Sequence, residues 1–203
     1  MRRAEGVNDV GRNLVRAVSH PPGGDHRTGE AGEWSLSTPS CARAETFARA
    51  EVLLKTALII SSAERKAIET AEIIGGRLGL GFEIRPNMHE NDRSATGNLP
   101  QTEFAAVADE FFANPHVSVR GWERAIDAQA RIVREVEAVL ARDQLGDILF
   151  VGHGGVGTLL FCHYVKVPIS RQFDQPGSGG NFFTLNRESR EIIHPWCPME
   201  AAA

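Results

Sequence analysis

Short apolar runs alternate along this chain with stretches of helical periodicity, the pattern of a layered α/β domain. Leu14–Val18 reads as a first strand, interrupted by Arg16, and His20-Pro21-Pro22-Gly23-Gly24 ends it. Residues 1–13 are polar and aperiodic and are expected to form a mobile tail, so that one domain spans 14–203. Pro21–Glu33 reads as a long Gly-rich loop. Ser37 is a good N-cap with Pro39 tolerated in the first turn, and the helix it opens is expected to run to about Leu54. Ala57-Leu58-Ile59-Ile60 is a buried strand closed by Ser61-Ser62. Ala63–Leu78 follows as a helix with Ala67, Ala71, Ile74 and Leu78 on one face and Gly79 as its stop.

Phe82–Arg85 is a short strand closed by Pro86, and His89–Pro100 is polar and irregular. Glu103–Phe112 and Trp122–Leu140 are two further helices, the second with Trp122, Ile126, Val133, Val136 and Leu140 as its apolar stripe. Asp147–Val151 is the clearest buried strand; it runs into Gly152-His153-Gly154-Gly155 and an apolar helix, Val156–Val165. Two late pieces, Asn181–Leu185 and Glu191–His194, complete the sheet. The expected fold is therefore a three-layer α/β/α sandwich on a mostly parallel sheet.

Composition narrows the class. At 203 residues, 42% hydrophobic and 24% charged, the chain can bury a full core without disulfides or a structural metal. A net charge of −4 gives no basic footprint for nucleic acid. The longest apolar stretch is far short of a membrane span, and the basic start MRRAEG has no apolar run behind it, so neither a span nor a secretory signal is expected. Cys41, Cys162 and Cys197 are few, odd in number and widely spaced, which fits a reducing, cytoplasmic setting.

Two histidines occupy equivalent places. His20 (LVRAVSHPPGG) and His153 (DILFVGHGGVG) each follow an apolar strand. In open α/β sheets ligands bind beyond the carboxyl ends of strands, so two parallel neighbours would bring both rings to one crevice. Gly154 and Gly155 allow a close backbone approach, and their N–H groups open a helix, which suits an anion. Arg65 and Lys66 would ordinarily be solvated helix charges, but they follow Ser61-Ser62 at another strand end. His89-Glu90-Asn91-Asp92-Arg93 adds a carboxylate and a further cation. Imidazoles, cations, glycine amides and one carboxylate suit phosphoryl chemistry: a neutral imidazole attacks phosphorus, cations neutralise its oxygens, and a carboxylic acid protonates the leaving oxygen. Trp34, Trp122 and Trp196 read as packing residues.

In order and spacing, Val18-Ser19-His20-Pro21, Leu36-Ser37-Thr38-Pro39-Ser40, Ser61 to Ala71 (SSAERKAIETA), His89-Glu90 and Val151-Gly152-His153-Gly154-Gly155 resemble the histidine phosphatase superfamily, with its phosphoglycerate-mutase-like fold. The resemblance covers about residues 14–194. It implies a phosphomonoesterase without metal or cofactor, acting on a small phosphorylated substrate. By position it makes His20 the nucleophile that becomes phosphorylated, His153 the stabiliser of the transferred group, and Glu90 the proton donor to the leaving group. Ser19, Arg65, Lys66, Arg93 and Gly154 are then expected to line the substrate.

The departures are specific. Ser19 stands where the family has arginine before its nucleophile, Lys66 replaces the second arginine, and Pro21 and Ser40 replace glycines. Lysine cannot reproduce a planar bidentate clamp. Removing one charge-assisted hydrogen bond from a transition state costs about 3 kcal/mol, or about two powers of ten in rate. Arg65, Arg93 or Arg27 could supply the missing charge, whereas Arg16 lies roughly 13 Å from His20 along a strand. An unusual substrate or a weakened activity is expected; the alternative is a phosphate-ligand binding or regulatory protein on the same scaffold. A metallohydrolase using His89, Glu90 and Asp92 with one strand-end histidine is a third reading, matched by no helical two-histidine spacing. Arg93, Ser94, Thr96 and Asn98 are expected to roof the pocket with Phe104, Phe111 and Phe112 beneath them. The Pro176–Asn181 stretch and the last strand could pair across a homodimer axis.

Overall fold

The structure, a computed structural model, describes residues 13–23 and 31–202. Most of the expected tail, the centre of the Gly-rich loop, and with it Arg27, lie outside the described residues. Six strands, β1 (Leu14–Ser19), β2 (Thr56–Ser62), β3 (Glu83–Arg85), β4 (Asp147–Gly152), β5 (Asn181–Asn186) and β6 (Ile192–Pro198), form one sheet in the order β3-β2-β4-β1-β5-β6. The first four in this spatial order are mutually parallel; β5 is antiparallel to β1, and β6 to β5. Five helices of the described residues cover it: α1 (Thr38–Phe47), α2 (Arg65–Leu78), α3 (Gln101–Ala113), α4 (Ala125–Leu140) and α5 (Gly154–Val165).

The alternation along β4 divides the core into two layers. Ile148 and Phe150 pack with Phe111, Ile132, Val136, Leu159 and Leu160 of α3, α4 and α5. Leu149 and Val151 face the other way, toward Phe47, Ala67, Ala71 and Ile74 of α1 and α2. A strand buried on both faces reads as a continuous apolar run, which is why DILFV is so legible. The three-layer α/β/α sandwich is the observed fold.

Three boundaries differ from the sequence reading, each for a tertiary reason. α1 stops at Phe47, not Leu54, because Ala50 turns extended and a short 3-10 turn at Glu51–Leu53 carries Leu53 into the core. α4 begins at Ala125, three residues past Trp122. Trp122 is buried ahead of it, its Nε1 donating to Thr96 Oγ1 at 2.9 Å. The buried stripe of α4 consequently runs through Ala125, Ala128, Ile132, Val136 and Val139, leaving Ile126 and Val133 half-buried on its flank. α5 opens at Gly154, two residues earlier than expected, because a side chain from elsewhere caps it.

Arg16 breaks the pattern of β1 without leaving the core. Its Nη1 donates to Asp147 Oδ2 at 2.8 Å, both side chains being under a tenth exposed, while Asp147 Oδ1 accepts the Leu14 N–H at 2.9 Å. This pair ties β1 to β4 at the end of the sheet remote from His20. Removing one partner of a buried ion pair strands the other charge, which costs about 3–5 kcal/mol. Asp147→Ala should therefore lose that much in urea unfolding, whereas Arg16→Met/Asp147→Leu together should lose far less. Equal losses in the two variants would show that burial of an unpaired charge is not the issue.

Candidate active site

The β1–β4 pairing positions the two histidines. Val18 lies opposite Val151 and Ser19 opposite Gly152, and the ladder continues one step further as His20 N–H donates to Gly152 O at 2.9 Å. His20 and His153 thus leave the carboxyl ends of adjacent parallel strands together, as the sequence predicts. Their rings meet edge to face, centroids 5.1 Å apart. The His20 backbone is fixed on its other side too: its carbonyl accepts the Gly180 N–H at 3.1 Å, and at Gly179 (φ 105°) a Cβ would come within 2.7 Å of that oxygen.

The tautomer of His20 follows from its partner. Nδ1 lies 2.7 Å from Pro21 O, and a carbonyl only accepts, so Nδ1 carries the proton and Nε2 keeps its lone pair. Burial, the facing His153 and the Lys66 ammonium together push the His20 pKa down to about 3. His20 is half-buried, so the ring stays reachable while neutral. His153 is buried, its Nε2 2.8 Å from Ser62 Oγ and 3.5 Å from Glu64 Oε1. Burial, opposed by Glu90 and reinforced by Lys66 and Arg93, lowers its pKa to about 4.

Glu90 joins this pair in a way the sequence does not reveal. Its Oε2 accepts the Gly155 N–H and its Oε1 the Val156 N–H, each at 2.9 Å, and Oε1 also accepts the Asn91 N–H at 3.0 Å. The helix N-terminus expected to bind an external anion is therefore occupied by the protein's own carboxylate. A Cβ on Gly155 would lie 2.7 Å from Glu90 Oε1, so a side chain there would push the carboxylate off these amides. Burial alone would raise the Glu90 pKa, but Arg93, His153 and the amide donors outweigh it and bring the value to about 2.

The remaining predicted residues separate. Lys66 is half-buried, with Nζ 5.5 Å from the centre of the Trp34 ring; burial lowers its pKa. Arg93 lies 5.1 Å from Phe104 and 5.7 Å from Trp122, and its charge acts on Glu90 and His153. Arg65 is not brought to the histidines: its side chain, 57% exposed, pairs with Glu69 one helical turn on. Ser19 points into the sheet's end, buried, and not at open space. Its Oγ donates to Gln175 Oε1 and accepts the Asn181 N–H at 3.1 Å. Gly154 is covered by Gln175, whose Nε2 would clash with a Cβ there.

Several site residues escape sequence reading. Glu64, the N-cap of α2, accepts the Glu90 N–H at 2.7 Å and stands beside His153; in sequence it is one more polar residue after a strand. Trp34 is no mere packing residue: with Glu64, Glu90, Arg93, Leu99 and Phe104 it lines a groove of about 770 Å³. Phe111 and Phe112 lie in the core instead of beneath this groove. His89, Glu90 and Asp92 form no metal cluster: none of three or more His, Cys, Asp or Glu exists among the described residues. All three cysteines are free, and no helix of the described residues is long and apolar enough to cross a membrane.

A mixed sheet covered on both faces, with paired histidines at its central strand ends, defines an α/β domain built to present imidazoles in one crevice. The family description that matches it is the histidine phosphatase superfamily (branch 1), over residues 22–191, and the chain belongs to that family. The matched span starts two residues beyond His20, where the first motif departs from the family pattern. Among solved structures, a mycobacterial glucosyl-3-phosphoglycerate phosphatase with inorganic phosphate is similar at 20% identity and TM-score 0.70, covering 91% of this chain and 94% of that one. YhfR of Bacillus stearothermophilus is similar at 20% identity and TM-score 0.74 (89% and 94% covered), and the α-ribazole phosphatase of Shigella flexneri at 15% and 0.67 (89% and 94%). At these identities the likeness shows the fold. No protein of curated function matches the chain. Family membership supports phosphatase chemistry in general.

The depressed pKa values have a consequence for stability. Both histidines bind protons more weakly in the folded chain, so from pH 6.5 down to about 4 the unfolded chain takes up protons that the folded one refuses. Stability therefore falls with falling pH in that window, and Glu90 extends the loss between pH 4.5 and about 2. The melting temperature should drop on going from pH 7.5 to 5, and less steeply in His153→Gln. Parallel curves for wild type and variant would show that His153 is not held neutral.

Proposed function

We propose that the chain is a phosphomonoesterase acting through a phosphohistidine on His20. One observation carries this reading: a neutral, reachable His20 presents a bare Nε2, with Nδ1 tied to Pro21 O, beside a second buried imidazole. Nε2 attacks phosphorus while the bond to the leaving oxygen breaks. Lys66 and Arg93 balance the charge on the phosphoryl oxygens, and the neutral His153 contributes a hydrogen bond. Glu90 is ionised at rest; a phosphomonoester bound as its monoanion brings the proton, and the negative charge arriving beside Glu90 raises its pKa, so that this proton passes to the carboxylate and from it to the leaving oxygen. The carboxylate so formed accepts a proton from water as that water attacks the phosphohistidine, freeing His20 and phosphate. The groove past Trp34, Glu64 and Phe104 houses the leaving group, with a volume suited to a drug-sized ligand.

A second reading, phosphate binding without turnover, draws on Ser19 and Lys66, which leave the site without the two family arginines. Hydrolysis of an aryl phosphate and a panel of phosphomonoesters separates the two. Wild type should turn over with a burst of acid-labile label on His20, unaffected by chelators, and His20→Ala should lose about a thousandfold or more. Unchanged hydrolysis in His20→Ala would remove the nucleophile assignment. Tight binding across the panel with no turnover would establish the second reading.

A further inference from the structure

The group standing in for the missing arginine is neutral. We propose that Gln175 is a phosphate-binding residue, its side-chain amide supplying the donor that a guanidinium at position 19 would otherwise provide, with Ser19 and Asn181 as its positioning residues. The inference rests on the phosphoryl site described above and names a residue no motif marks.

The orientation of the Gln175 amide is dictated by a chain of unambiguous groups. Pro176 O is a carbonyl and only accepts, so the Asn181 side-chain atom 2.9 Å from it is the nitrogen. That same Nδ2 lies 3.0 Å from a terminal atom of Gln175, which must then be the oxygen. Ser19 Oγ already accepts the Asn181 N–H, and its own proton has two acceptors in reach, that same oxygen of Gln175 and, at 3.2 Å, Asn181 O. Oε1 thus accepts from Asn181 Nδ2, and a flipped carboxamide would set two nitrogens against each other at 3.0 Å, so this contact fixes its orientation. Gln175 N–H is itself fixed, donating to Asp174 Oδ1 at 2.8 Å, and Asp174 accepts from Thr158 Oγ1 of α5 at 2.8 Å.

What is left is Nε2, which has no hydrogen-bond partner among the described residues. It lies directly over Gly154, in the space a Cβ would need, so the amide spans from the residue before His20 to the residue after His153. Two N–H bonds are therefore presented at the paired strand ends, where an anion held by the histidines would sit. The next two amides of α5 are spent on Glu90, so this donor is among the few still available there. Ser19 and Gly154 acquire a common reason: a hydroxyl small enough to admit the glutamine and aim it, and a glycine that lets it lie flat. An arginine at position 19 would compete for the same space.

Binding of inorganic phosphate and orthovanadate, measured by calorimetry on the full chain, tests this without requiring turnover. Gln175→Glu keeps the shape and one accepting oxygen but puts a carboxylate oxygen where Nε2 is. It should weaken vanadate on the order of tenfold or more and Gln175→Ala by several-fold, both at little-changed melting temperature, and Ser19→Ala by less, with a lowered melting temperature because the buried Asn181 N–H loses its acceptor. Gln175→Met, which fills the space without a donor, replaces the glutamate variant if that fails to fold, and should behave like Gln175→Ala. Wild-type affinity in Gln175→Glu or Gln175→Met would overturn the proposal, as would a lowered melting temperature with unchanged affinity in Gln175→Ala. Wild type that binds neither anion would overturn it too. The expected ranking in a wild type that binds but does not hydrolyse would uphold Gln175 while removing the phosphatase reading.

Discussion

The site depends on the register of one parallel strand pair. With Val18 opposite Val151 and Ser19 opposite Gly152, His20 and His153 emerge at the same height, and the extra hydrogen bond from His20 N–H to Gly152 O carries the register to the first of the two histidines. A slip of one residue would turn every side chain of β1 to the opposite face, so the two core layers specify this register strongly. The Arg16–Asp147 pair fixes the same two strands at their other end. Packing along the middle, an ion pair at one end and imidazoles at the other are thus consequences of a single alignment.

The second constraint is electrostatic. An uncommitted helix N-terminus at strand ends is the usual place to receive phosphate, yet here Glu90 fills it. This keeps the carboxylate ionised and immobile, and ties the irregular His89–Arg93 segment to α5 with Glu64 bracing its backbone from α2. An incoming anion must then find its donors elsewhere. With a net charge of −4 there is no overall positive field to draw it in, and in the proposed reaction recognition falls to a few local groups: Lys66, Arg93, the neutral His153 and Gln175. Lys66 and Arg93 are half-buried, where a charge acts through a lower dielectric than at the surface.

Much of this was legible in the chain because it is local. DILFV followed by GHGG is a buried strand feeding a tight turn, and Gly79 does end α2 in the left-handed conformation. The histidine pair follows from two such strands being neighbours. What the sequence concealed is long-range. Ser19 meets Gln175 across 156 positions and Glu90 meets Gly155 across 65, and no periodicity records such contacts. The same holds for Trp122, whose spacing extends the α4 stripe although its ring is fixed by Thr96, and for Arg65, which shares a motif with Lys66 but projects from a different side of α2 toward Glu69. In a helix, adjacent residues point about 100° apart, so one of two consecutive cations faces the crevice and the other cannot.

Exchanging a guanidinium for a neutral amide changes more than affinity. A cation near His20 lowers the pKa of that histidine, as Lys66 already does, and a nucleophile weakens as its basicity falls. A cation also holds ground-state phosphate and product, and whatever it contributes equally to ground and transition states adds nothing to kcat. A carboxamide donates hydrogen bonds without either effect, though each bond is weaker than one from a charged donor. The arrangement therefore trades strength of phosphate capture for a less perturbed histidine and an easier release of phosphate. Where the leaving group finds its own contacts in the groove between Trp34 and Phe104, binding energy from that remote part can replace part of what the phosphate contacts give up.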